Sequence, residues 1–71
     1  MKKSKLNKIG LQLIPSRHKN SKTRYWQANC VGTFLGFTNS THIDVLWQCS
    51  YEGHHWESIG RMLPIDIELY E

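Results

Sequence analysis

The feature that most limits what this chain can fold into is a run of residues with period two. In Ile43-Asp44-Val45-Leu46-Trp47-Gln48-Cys49, positions 43, 45, 47 and 49 are apolar, and Asp44 and Gln48 interrupt the other set. Successive side chains of a β-strand point to opposite faces, so this run buries one face and leaves the other to water. A helix needs apolar residues at i, i+3, i+4 and i+7, and no window offers that stripe between caps.

The alternation recurs along the chain. Ile9, Leu11 and Leu13 share one parity with Gly10 and Gln12 opposite, which predicts a strand over 9–14 that Pro15 ends. Residues 15–23 (PSRHKNSKT) contain no hydrophobic side chain and predict an exposed loop. From 25 to 37, Trp26, Ala28 and Cys30 alternate with Gln27 and Asn29, after which Val31, Leu35 and Phe37 take the other parity. An extra residue exchanges the faces of a strand, so a bulge or bend at Gly32 or Gly36 accounts for the slip. Thr38-Asn39-Ser40-Thr41 has the composition of a turn, and a second turn falls around Glu52-Gly53. Strands are predicted over 43–50, 56–61 and 65–70, with one helical turn at Met62-Leu63-Pro64.

A chain of 71 residues forms one small domain, burying only about 60% of its unfolded surface. Its 39% hydrophobic content and eight aromatic rings are too much for a disordered chain. No apolar run approaches the ~20 residues of a membrane helix, so no membrane partner is expected. Asn7, Lys8, Gly10 and Gln12 interrupt what would be the apolar stretch of an export signal, which points to a cytoplasmic protein. In that setting Cys30 and Cys49, not a CxxC pair, are expected to be unbridged core residues.

Charge is unevenly placed. Up to Arg24 the chain holds Lys2, Lys3, Lys5, Lys8, Arg17, Lys19, Lys22 and Arg24 with no acid. Beyond it, Arg61 stands against Asp44, Glu52, Glu57, Asp66, Glu68 and Glu71. The net +3 therefore conceals a basic arm on an acidic body. Residues 1–8 lack periodicity and read as a flexible basic arm ahead of a domain over 9–71.

The element order, a strand, a long polar loop, three strands on short turns, one helical turn and a last strand, resembles that of SH3-like small barrels, Tudor-like ones included. The resemblance runs from about Tyr25 to Leu69. It is carried by the hairpin NCVGTFLGFTNSTHIDVLW and by the ending WESIGRMLPIDIEL, with Leu63-Pro64-Ile65 at the place of the helical turn. It implies an all-β, five-stranded SH3-like small barrel carrying the flexible arm. The superfamily hosts many functions, so the fold alone names none.

Function is read from side chains. The arm and first loop (Lys2, Lys3, Lys5, Lys8, Arg17, Lys19, Lys22, Arg24) are suited to phosphates, and Tyr25 and Trp26 follow at once as rings able to stack on bases. The leading expectation is a non-catalytic accessory module binding DNA or RNA through the backbone, with low sequence specificity and no cofactor. The alternative is a protein-interaction module, an adaptor, subunit or inhibitor of the kind phage and mobile elements carry. It would use Tyr51, Glu52, Trp56 and Glu57, an aromatic and acidic set that in Tudor-like barrels would suit a methylated cation. Edge strands this apolar are also able to pair into a homodimer. Cys30, Cys49, His54 and His55 are the residue types of a zinc site, but Cys30 has no near partner and no metal is expected. No hydrolase elbow, zincin helix or phosphate-gripping glycine loop occurs. The barrel enzyme type II dihydrofolate reductase has a Val-Gln-Ile-Tyr strand where this chain has WESIGR, so no enzyme activity is expected.

Overall fold

In a computed structural model of the chain, residues 2–16 and 29–70 are described. They form one antiparallel sheet of five strands: β1 (Gln12–Pro15), β2 (Asn29–Phe37), β3 (Ile43–Tyr51), β4 (His54–Met62) and β5 (Ile67–Leu69). Their spatial order is β4-β3-β2-β1-β5. The last strand thus returns beside the first, leaving β4 and β5 as the two edges among the described residues. Among the described residues two 3-10 turns accompany the strands, Lys3–Lys5 and Pro64–Asp66. No α-helix occurs among the described residues, and no helix there is long and apolar enough to cross a membrane. The all-β, five-stranded expectation holds. No ladder joins β4 to β5 among the described residues, so the sheet is not closed by hydrogen bonds.

The period-two run forms β3 and supplies the centre of the core. Ile43, Val45, Trp47 and Cys49 are buried on one face. Their cross-strand neighbours on β2 are Phe37, Phe34, Gly32 and Cys30, and on β4 Met62, Gly60, Ser58 and Trp56. Leu13 from β1 and Ile67 from β5 close the same cluster. Full burial of an aliphatic side chain contributes about 1.5–3 kcal/mol, so this face dominates the stability. Trp47 has no exposed surface, and its indole N–H donates to the Met62 sulfur at 3.0 Å.

Gly32 is where the core has no room for more. A Cβ there would lie 2.5 Å from Val45 Cγ1 and 2.8 Å from Trp47 Cζ3, closer than carbon atoms approach. Gly32 lies in regular register opposite Trp47, and the ladder slips between Phe34 and Gly36. Of the two sites expected for the bulge, the structure selects Gly36, whose φ of 127° suits glycine alone.

Cys30 and Cys49 face each other across β2 and β3 with Cα atoms 4.1 Å apart, and they are joined as a disulfide. This corrects the expectation of two free thiols. Nineteen residues of sequence separation give no sign of a pairing that depends on strand register. Sulfurs bonded to one another do not act as zinc thiolates, and no metal-holding cluster of His, Cys, Asp and Glu occurs among the described residues.

The strand ends also differ from the expectation. β1 begins at Gln12, because Gly10 takes a left-handed φ of 97° and leaves Ile9 exposed. β4 begins at His54, because the Glu52-Gly53 turn is only two residues long and registers Tyr51 with His54 and Ser50 with His55. The helical turn expected at Met62-Leu63-Pro64 sits slightly later, at Pro64–Asp66.

Candidate nucleic-acid interface

The N-terminal segment is tied to the sheet by one buried side chain. Leu6 is only 5% exposed and belongs to the core cluster, whereas Lys2, Lys3, Lys5 and Lys8 around it are all exposed. Leu6 therefore fixes the segment while its lysines remain in water. Beyond it the chain joins β2 at the bulge, where the Gly10 N–H donates to the Phe34 carbonyl and the Phe34 N–H to the Leu11 carbonyl, each at 2.9 Å.

Lys3 binds the segment to the β2–β3 turn. Its ammonium donates to the Ser40 carbonyl and stands 5.5 Å from the centre of the Phe37 ring. The turn that presents Ser40 is organised by Asn39. Its Oδ1 accepts from the backbone N–H groups of Thr41 and His42, both at 2.8 Å, and from the Thr41 hydroxyl at 2.9 Å. Such side-chain to backbone bonds are why Asn favours turns. Phe37 meets Phe34 edge-on, with centroids 5.7 Å apart, yet remains 45% exposed. Lys3 thus stands at an accessible ring, with Lys2, Lys5 and Lys8 exposed on the same segment, an arrangement that provides cations for phosphates and a π-face for a base.

The other candidate residues lie elsewhere. Tyr51 and Trp56 are both more than a third exposed. By register they share the sheet face of Cys49, since Trp56 is directly opposite it and Tyr51 is two residues on. Glu52 sits in the turn itself. Glu57 takes the opposite face, where its Oε1 accepts from Gln48 Nε2 at 3.3 Å. A cleft of about 350 Å³ opens here, lined by Gln48, Cys49, His55, Trp56 and Glu57. Nine residues of β3 separate the two ends, roughly 27 Å at strand spacing.

The structure brings Lys2, Lys3, Lys5 and Lys8 to one end of the sheet, and Tyr51 and Trp56 to the other. Arg17, Lys19, Lys22, Arg24, Tyr25 and Trp26 lie outside the described residues. Sequence reasoning did not single out Phe37 as a contact. Its parity groups it with Val31 and Leu35, and only the bulge at Gly36 turns it to Ile43. Comparison of the chain with protein-family profiles, with curated proteins and with solved structures finds no match in any of the three.

Proposed function

We propose that the protein is a non-catalytic nucleic-acid-binding accessory module, its sheet curled as a partly open SH3-like barrel. The arm lysines contact phosphates and Phe37 offers the stacking ring beside them. The observation that carries this reading is the uncompensated charge of the arm. Lys2, Lys3, Lys5 and Lys8 are exposed, and the ion pair between Arg61 and Asp44 involves none of them. Lys3 is already held over Phe37. Contacts of this kind read the backbone and any base with a π-face, so DNA and RNA are both ligands in kind and sequence preference is weak. The curl is supported by strand order, since β5 returns to β1 and the Ser16 N–H donates to the Asp66 carbonyl at 2.8 Å.

The test is fluorescence anisotropy on labelled single- and double-stranded oligonucleotides at ~50 mM and ~200 mM salt, where several phosphate contacts cost orders of magnitude in affinity. The comparison variant replaces Lys2, Lys3, Lys5 and Lys8 by Gln and keeps Leu6, because deleting the arm would also remove a core side chain. Binding that falls with salt and with the lysines supports the proposal. No binding at low salt, or binding indifferent to the lysines, refutes it.

A second reading, a protein-interaction module, is favoured by the shared face of Tyr51 and Trp56 beside the cleft. It predicts a partner whose binding survives the four Gln substitutions and is lost in Trp56→Ala.

A further inference from the structure

The free edge of β4 carries a charge pattern that complements itself. Among the described residues strand β4 pairs with β3 alone, and it has nine residues, His54–Met62. It contains neither Pro nor Lys, two residues that commonly blunt an exposed edge. The two-residue turn Glu52-Gly53 decides which backbone groups are spare. In a hairpin of this kind the residues flanking the turn exchange hydrogen bonds, and so does every second residue after them. On β4 that set is His54, Trp56, Ser58, Gly60 and Met62. The N–H and C=O groups of His55, Glu57, Ile59 and Arg61 therefore face away from the sheet. The side chains of Glu57, Ile59 and Arg61 share the face of their β3 neighbours Gln48, Leu46 and Asp44. Ile59 is 67% exposed at the middle of this edge.

We propose that β4 is a homodimer interface, in which the strand pairs antiparallel with β4 of a second copy about a two-fold axis at Ile59. Read outward from Ile59, the spare positions are Glu57 on one side and Arg61 on the other. Antiparallel pairing reverses that order in the second copy. Each Glu57 then meets an Arg61, and Ile59 meets Ile59. A two-fold at Glu57 or at Arg61 sets like charges opposite each other. One at Ser58 places Glu57 against Ile59, and one at Gly60 places Arg61 against Ile59. The Ile59 register alone pairs both charges and both isoleucines. It adds about six backbone hydrogen bonds by the antiparallel pattern.

Neighbouring contacts extend both rows. Arg61 already lies 3.7 Å from Asp44, and Glu57 accepts from Gln48. The dimer therefore continues a polar row from Asp44 through Arg61 to Glu57 and Gln48 of the second copy. Beside it runs an aliphatic row from Leu46 through both Ile59 side chains to the second Leu46.

The experiment is sedimentation equilibrium of the full chain from micromolar to millimolar concentration, for the wild type, Glu57→Arg and Arg61→Glu. The wild type should dimerise, and each variant, with like charges twice opposed, should do so at least about tenfold more weakly. A mixture of the two variants should recover a one-to-one dimer, because one chain then carries two arginines and the other two glutamates. Independently of charge, Ile59→Cys should cross-link to a covalent dimer on mild oxidation, while Glu52→Cys in the turn should not. A wild type that stays monomeric throughout overturns the proposal. So do variants that dimerise as the wild type does, or a mixture that remains monomeric.

Discussion

Gly32 is held at the centre of the core by what surrounds it. The space its Cβ would occupy belongs to Val45 and Trp47, and Trp47 is itself fixed through its indole bond to Met62. Gly32→Ala should therefore lower stability by about 1–3 kcal/mol, as overpacking of a filled core does. Urea denaturation monitored by tryptophan fluorescence measures this. The neighbouring Cys30–Cys49 bond makes a separate claim. The unreduced native protein should show no titratable thiol, and replacing both cysteines by Ala should cost about 2–4 kcal/mol. Unchanged urea midpoints would show that the strand pairing alone already holds these positions. The bond also bears on location, since disulfides persist mainly in oxidising compartments, whereas the N-terminal sequence pointed to the cytoplasm. None of this could be seen in the residue order. A glycine with no room and a glycine at a bulge look alike until cross-strand neighbours are known, and so do a free cysteine and a paired one.

At the scale of elements, legibility followed the contrast between faces. Strand β3 was readable within one residue of its observed end, because Asp44 and Gln48 mark its wet side unambiguously. Strand β4 is longer than its apolar content implies. His54 and His55 carry no hydrophobic signal, and they are strand residues only because the preceding turn is so short. That turn is also strained. Glu52 adopts φ 50° and Gly53 φ 83°, two consecutive left-handed residues, for which Asn-Gly is the favoured sequence. Glu52→Asn should then stabilise the protein by about 0.5–1 kcal/mol, since Asn tolerates this conformation better than Glu. A rise in thermal midpoint would check it, and a fall would mean that the Glu52 carboxylate makes a contact worth more than the strain.

Across the whole molecule, the arrangement of charge sets what a polyanion meets. The excess of cations before Arg24 was legible from composition, and the structure adds that one hydrophobic side chain, Leu6, converts the first part of that excess into a patch at a defined end of the sheet. The ring in that patch was not legible, because Phe37 reaches it through a change of parity. If the patch is the contact surface for single strands, the four arm lysines contribute up to four phosphate contacts. Replacing them by Gln should flatten the plot of log affinity against log salt by about 3 units. The acidic hairpin at the far end of β3 takes no part in this. Tyr51→Ala and Trp56→Ala, remote from the arm, should leave the affinity unchanged within about twofold and the slope unchanged. Phe37→Ala should differ from both classes. Loss of a stacked base costs about 1–3 kcal/mol without releasing counterions, so affinity should drop while the slope stays. A slope that flattens in Phe37→Ala would mean that the ring acts by positioning Lys3 rather than by touching a base, and the cation over its face would then be the reason for its exposure.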